Sequence, residues 1–120
     1  MTPEEIIALA GGLPEVSEEE PFGPGTPVFK VAGKVFAILQ PESDPVPQVT
    51  LKCEPSLALE LRAQFPSVIE GYHVNKKHWN TVLLDGTVPS DEIRDMVEHS
   101  YRRVVESLPK ATRQPLLEQL

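Results

Sequence analysis

Residues 27–39, PVFKVAGKVFAIL, are the most informative stretch for the fold, because they have the pattern of two strands joined by a tight turn. Apolar residues dominate 28–31 and again 35–39, which are typical lengths for strands. The pair Ala32-Gly33 lies between the two runs and is typical of a hairpin turn. The sequence therefore predicts an antiparallel sheet built around this hairpin.

Further strands are predicted on both sides of the hairpin. Residues 15–23, EVSEEEPFG, have a weak and polar strand pattern, which favours an edge position. After the proline-rich connector QPESDPVP, residues 48–53, QVTLKC, alternate so that one face carries Val49, Leu51 and Cys53. Residues 79–86, WNTVLLDG, predict another strand that ends in a turn at Asp85-Gly86.

The first of three predicted helices comes before the strands. Residues 2–11 begin with Thr2 and Pro3, and Glu5 follows at the spacing of a capping box. The glycine pair 11–12 predicts a left-handed end to this helix.

A second helix is expected over residues 54–66, with one apolar stripe. A third, over 88–108, has apolar residues at helical spacing and includes the pair Ser100-Tyr101. The tail from 110 to 120 predicts one or two additional helical turns.

This order of elements predicts a single α+β domain over residues 1–120. Strands joined by hairpins, with helices between the runs, are typical of a two-layer arrangement in which helices cover one face of an antiparallel sheet. A chain of 120 residues with 40% hydrophobic content is long enough to bury a core of its own. No repeat divides the chain, and no linker is long enough to separate two domains.

The charge of the chain narrows the classes of function. Its net charge is −7 and its pI is about 4.9, which is the wrong sign for a general nucleic-acid-binding protein. The acids are concentrated in residues 1–25 and 87–109, however, and the middle of the chain is mildly basic. No apolar run is long enough for a membrane span and no targeting segment is evident, so a cytoplasmic protein is expected.

Catalytic and metal-binding motifs are missing from the sequence. The single cysteine, Cys53, excludes an internal disulfide and lies on the apolar face of its predicted strand. His73 and His78 are five residues apart, and His99 lies on the third helix, so no zinc spacing is formed. We expect no enzyme activity, no metal and no cofactor.

Residues 71–80, GYHVNKKHWN, hold the best candidates for a binding site. Lysine and histidine side chains can donate to an anion, asparagine can orient a polar group, and the aromatic rings can stack on a planar ligand. Lys34, at the hairpin turn, and Lys52, at a strand end, can converge on this loop. Packing is an equally concrete interpretation, with Trp79 as an anchor and the lysines simply solvated.

Several blocks of the chain resemble the MmcQ/YjbR-like family. They are FKVAGKVFAIL, VTLKCEP, LRAQFPSVIEGYHVNKKHWNTVLLDGTVP and HSYRRVVESLPKATR. The most specific block is GYHVNKKHWNTV, residues 71–82, followed by Ser100-Tyr101. The resemblance extends from about Phe22 to Arg113, and it implies a small, bacterial, cytoplasmic protein with the order α-β(3)-α-β(2)-α, similar to that of secretion chaperones.

The resemblance also implies DNA binding, through the double-wing arrangement of strands and loops described for the family. The positions that match the motif are Lys34, Lys52, Tyr72, His73, Asn75, Lys76, Lys77, His78, Trp79 and Asn80. A protein-interaction module with an acidic surface is the alternative, and a small-anion or nucleotide site is a third hypothesis. The sequence leaves open whether the partner is DNA or a protein, and whether the chain is a monomer or a homodimer.

Overall fold

The structure, a computed structural model, describes residues 1–71 and 74–120. In chain order, these residues form α1 (Pro3–Gly11), β1 (Val16–Glu19), β2 (Val28–Val31), β3 (Lys34–Gln40), β4 (Gln48–Lys52), α2 (Pro55–Gln64), β5 (Val68–Glu70), β6 (Trp79–Leu83), α3 (Ser90–Glu106) and α4 (Lys110–Glu118). The strands form one antiparallel sheet in the order β1-β2-β3-β4-β6-β5. The predicted α+β class is confirmed.

The hairpin β2–β3 has the predicted turn, with φ of 50° at Ala32 and 77° at Gly33. Positive φ at both central residues gives the turn the twist that antiparallel strands require. The register shifts by one residue between Phe29 and Lys30, so β3 carries one extra residue at this point. As a result, the consecutive residues Phe36 and Ala37 are both fully buried.

The helices pack against one face of the sheet, which we call the covered face. Alternate strand residues such as Val49, Leu51 and Val82 lie in this layer together with the apolar side of α3. The rings of Tyr101 and Phe36 pack edge to face, with their centroids 5.4 Å apart. The Tyr101 hydroxyl donates to the carbonyl of Pro14 at 2.7 Å. The buried aromatic pair therefore fixes α3 over the middle of the sheet.

The structure refines the predicted order in two places. Four strands precede α2, because the polar segment at 16–19 does pair as an edge strand, and the tail forms the complete helix α4. The capping box of Thr2 and Glu5 is confirmed. The left-handed helix end is wrong: Gly12 has φ of −86°, and the chain turns instead at Glu15, where φ is 57°.

Candidate nucleic-acid interface

The loop before β6 closes on itself through backbone hydrogen bonds. The Gly71 N–H donates to the carbonyl of Trp79 at 3.0 Å, and the His78 N–H donates to the carbonyl of Asn75 at 3.2 Å. The Asn75 side chain accepts from the Lys77 N–H at 2.9 Å, an arrangement typical of an Asx turn. The described part of this loop is therefore a shaped turn, in which Asn75 has a local structural role.

Gly71 is required by the close approach of two chain segments. A Cβ at this position would lie 2.6 Å from Val74 Cγ2 and 2.8 Å from Trp79 Cβ. Both distances are shorter than real Cβ contacts. A side chain at Gly71 would therefore push the loop away from the start of β6.

Two exposed lysines occupy the tip of the loop. Lys76 Nζ lies 4.0 Å from Glu70, and both side chains are 61% exposed, so this ion pair is weak and leaves the ammonium accessible. Arg62 Nη1 donates to the Lys76 carbonyl at 3.2 Å and ties the loop to α2. Lys77 is exposed. Arg62 was not predicted as a site residue, because a contact between residues 62 and 76 leaves no local pattern in the sequence.

The face of the sheet opposite the helices carries the other part of the candidate site, and we call it the uncovered face. Lys52 is the direct cross-strand partner of Trp79, and both are half-buried. Directly opposite residues in an antiparallel pair have Cβ atoms about 5 Å apart. The next pair on this face, Thr50 and Thr81, joins its hydroxyls at 2.8 Å. A lysine and a tryptophan therefore stand side by side at the end of the two strands.

Asn80 lies on the other side of β6. It is only 3% exposed, and its Nδ2 donates to the carbonyl of Ala58 in α2 at 3.2 Å. Strand alternation separates it from Trp79, so the structure does not bring Asn80 together with the loop lysines. The same alternation was readable from the sequence, since Asn80 and Val82 must share a face.

The remaining predicted residues have different positions. Lys34 is exposed at the start of β3, and Lys52 ends the neighbouring antiparallel strand, so both lie at the same end of the sheet. His78 is half-buried. Tyr72 and His73 lie outside the described residues. The structure therefore gathers Lys52, Trp79 and the loop lysines at one end of the sheet.

Ser100 fixes the backbone of Lys52. Continuing the register from Ala37 opposite Leu51 would place Phe36 opposite Lys52. Instead, the Ser100 hydroxyl accepts from the Lys52 N–H at 2.8 Å and donates to the Phe36 carbonyl at 2.5 Å. A helix side chain thus bridges the two strands where they would otherwise bond directly.

The two residues after Lys52 are held in a similar way. The Cys53 N–H donates to the carbonyl of His78 at 2.7 Å, and the Glu54 N–H donates to His99 Nε2 at 3.1 Å. Burial and the nearby Arg103 lower the pKa of His99, which favours the neutral ring that can accept this bond. Burial also raises the pKa of the Cys53 thiol to about 11, so it stays protonated and packs as an apolar group.

Within residues 1–71 and 74–120, no three His, Cys, Asp or Glu side chains lie close enough together to hold a metal ion. The same residues contain no helix with the length and apolar character needed to cross a membrane.

Comparison with known proteins identifies relatives along most of the chain. The family model described as YjbR matches residues 11–103. The chain is 40% identical over 102 residues to the uncharacterized protein YbdF of Escherichia coli O157:H7, covering 85% of this chain and 83% of that protein. It is also 40% identical over 90 residues to the uncharacterized protein YjbR of Escherichia coli K12, covering 75% of each chain.

Solved structures show the same fold. The crystal structure of Deinococcus radiodurans protein DR2400, described as a DUF419 domain, superposes with a TM-score of 0.88 at 37% identity, covering 96% of this chain and 87% of that one. A crystal structure from Pseudomonas syringae, structural genomics target PsR293, superposes with a TM-score of 0.72 at 31% identity, covering 83% of this chain and 96% of that one. The match therefore extends from local motifs to the whole arrangement of sheet and helices.

Proposed function

We propose that this chain, which belongs to the YjbR family, binds DNA at the end of its sheet that carries Lys52, Trp79, Lys76 and Lys77. The observation that carries the proposal is the cross-strand pair of Lys52 and Trp79 on the uncovered face, next to the two exposed lysines of the loop. In this proposal the chain binds its partner without a catalytic step.

Single-stranded DNA suits this arrangement better than duplex DNA. An accessible tryptophan ring can stack on an unpaired base, while lysines beside it contact the phosphates on either side of that base. In a duplex the bases are already stacked on one another, so no free base face is available to the tryptophan ring. We therefore expect unpaired DNA to bind more tightly than duplex DNA of the same length.

The net charge of −7 limits the affinity and makes it sensitive to salt. Lys52, Arg62, Lys76 and Lys77 are four of the described cations at this end, and Glu54 and Glu70 lie among them. About four phosphate contacts to a single strand predict a salt slope of about −3, or a loss of about fiftyfold between about 50 and 200 mM salt. A steep salt dependence is thus part of the proposal.

Fluorescence anisotropy with labelled single-stranded and duplex DNA, at about 20 and then 150 mM salt, tests the proposal. The double variant Lys76→Ala with Lys77→Ala should bind at least about tenfold more weakly, because each lysine lost removes one phosphate contact. Its melting temperature should stay unchanged, since both side chains are exposed.

A matched control removes the same charge elsewhere. Lys110→Ala with Arg102→Ala changes two exposed cations outside the loop and should bind DNA as the wild type does. No binding at the lower salt, or equal losses for the two double variants, would contradict the proposal, because the effect would then not depend on the loop.

A protein-interaction module is the second candidate, and the free edge of β1 favours it. Among the described strands, β1 pairs with β2 alone, and Glu18, Glu19 and Glu20 are exposed. Of these three glutamates, only Glu19 forms a salt bridge with a described residue, to Lys30 at 3.0 Å. An acidic edge of this kind suits a basic protein partner. Capture of such a partner that is lost on Glu18→Gln with Glu20→Gln, with no DNA retained, would favour this candidate.

A further inference from the structure

A cavity of about 310 Å³ lies under the covered face of the sheet, between α2 and α3. Its walls are mostly apolar side chains from the sheet and two helices: Leu51 and Val82 from the strands, Leu57 and Leu61 from α2, and Met96 from α3. This volume is at the lower end of the range for small-molecule sites. It suits a compact ligand with an apolar body.

One polar atom in the cavity wall lacks a hydrogen-bond partner within the part of the chain that the structure describes. Asn80 borders the cavity and is 97% buried, given its 3% exposure. Its Nδ2 must face the Ala58 carbonyl, since an oxygen in that place would oppose another acceptor. Among residues 1–71 and 74–120, the Asn80 Oδ1 atom has no hydrogen-bond partner. A buried acceptor without a donor is unfavourable, so a ligand with an N–H or O–H group would stabilise this wall by donating to Asn80 Oδ1.

The opening of the cavity is negatively charged. Glu92 and Asp95 lie about one turn apart on α3 and border the cavity with His99, which follows one turn later. His99 adds no positive charge, because its Nε2 already accepts from the Glu54 N–H. Lys52 also borders the cavity, but alternation along β4 directs its side chain to the uncovered face. The charges of the lining that face the cavity are therefore carboxylates.

We propose that this cavity binds a small organic cation, a primary amine on an apolar body. The apolar walls would take the hydrocarbon part, Glu92 and Asp95 would balance the positive charge, and Asn80 Oδ1 would accept from an N–H of the ammonium group. This site has the opposite charge preference from the DNA site and lies on the opposite face of the same strands. Failure of one proposal therefore leaves the other standing.

Three probes of nearly equal size test this preference. 2-Phenylethylamine is a cation with an apolar ring, 2-phenylethanol is its neutral counterpart, and 3-phenylpropanoate is the anionic one. Ligand-detected NMR titration should show saturable binding of the amine with a Kd of about 1 mM or below, which is ordinary for so small a molecule. The alcohol should bind about tenfold more weakly, and the carboxylate more weakly still.

Variants of α3 distinguish amine binding in the cavity from a general effect of the protein's negative charge. Glu92→Gln with Asp95→Asn should weaken amine binding at least about tenfold and leave alcohol binding unchanged. Asp91→Asn with Glu98→Gln removes the same charge from the same helix outside the cavity lining, and should bind the amine normally. Asn80→Leu, which keeps the volume but removes the acceptor, should weaken binding of both the amine and the alcohol.

Three outcomes would overturn the proposal. They are the absence of saturable amine binding up to about 5 mM, equal affinity for all three probes, and normal amine binding by the Glu92–Asp95 double variant. If Asn80→Leu does not fold, the surface double variant still decides the result. Both of its side chains lie at the cavity opening, and neither is fully buried.

Discussion

The two faces of β4 and β6 differ in what their neighbouring residues do. On the covered face, Leu51 and Asn80 contact helices and line the cavity. On the uncovered face, the next residue pair, Lys52 and Trp79, offers an ammonium group and an aromatic ring. The same backbone thus serves a carboxylate-lined cavity on one side and a cationic surface on the other.

The covered face holds the backbone of β4 in position, whereas the uncovered face offers side chains to a ligand. The groups that hold the end of β4 come from α3, through Ser100 and His99, and both act on backbone atoms. The groups available to a ligand on the uncovered face have few fixed partners. We therefore expect loss of these Ser100 and His99 bonds to alter stability, and changes on the uncovered face to alter DNA binding.

Ser100→Ala should have the largest effect on stability. The hydroxyl makes a part-buried hydrogen bond with the Lys52 N–H and a buried one with the Phe36 carbonyl, so its loss leaves two backbone groups unpaired. We expect a loss of about 3 kcal/mol of the free energy of unfolding, or about 10 °C in melting temperature. Urea denaturation of both proteins measures this difference.

Ser107→Ala is the matched control. Ser107 is exposed and its hydroxyl bonds only to the Val104 carbonyl of its own helix, so the change should cost less than about 0.5 kcal/mol. If Ser100→Ala costs no more than the control, β3 and β4 must close and bond directly once the hydroxyl is gone. The serine would then not position Lys52.

Gly71→Ala should have the second largest effect and should act on the loop. The added Cβ would clash with Val74 and Trp79, at 2.6 and 2.8 Å, so we expect a cost of about 2 kcal/mol together with weaker DNA binding. In Gly11→Ala, the new Cβ would lie 3.9 Å from Phe29, an ordinary contact, so that variant should keep wild-type stability. Equal thermal stability of the two variants would show that the loop adapts to a side chain.

The smallest effect should come from the protonation of His99. The pKa of His99 is lowered in the folded protein from its value of 6.5 in the unfolded chain. As the pH falls below 6.5, the unfolded chain therefore binds more protons than the folded one, and the free energy of unfolding decreases. Hydrogen bonds from Leu57 and Ser56 hold the pKa of Glu54 near 2, so this carboxylate loses its contribution only at much lower pH.

The variant His99→Gln isolates this effect. A glutamine oxygen can still accept from the Glu54 N–H but does not titrate, so the decline just below pH 6.5 should flatten. Chemical denaturation at several pH values between about 7 and 5 measures it. An unchanged decline in the variant would assign the effect to another group.

Local patterns in the sequence were enough to predict much of the fold. The hairpin followed from two apolar runs around Ala32-Gly33, and α3 followed from apolar residues at helical spacing over 17 residues. β5 followed only from the family resemblance, whose order has two strands after α2, because a strand of three residues, Val68–Glu70, is too short to show alternation. The left-handed end predicted for α1 failed because Glu15, three residues later, adopts the positive φ.

The candidate site was less predictable, because its key contacts join distant parts of the chain. The sequence indicated the loop lysines and their neighbour Trp79, but Asn80 was grouped with them although β6 turns it toward α2. The bond from Ser100 to Phe36 joins residues 64 positions apart, and no periodicity predicts such a contact. The cavity depends on the spacing between α2 and α3, which only tertiary packing determines.

The three amides at the end of β4 have a consequence for dynamics. The Lys52 and Glu54 N–H groups bond to α3 side chains, whereas the Cys53 N–H between them bonds to the carbonyl of His78. Hydrogen exchange at Lys52 and Glu54 therefore reports undocking of the helix, and exchange at Cys53 reports opening of the loop. The exchange rates of three consecutive amides thus report two different motions, one of the helix and one of the loop.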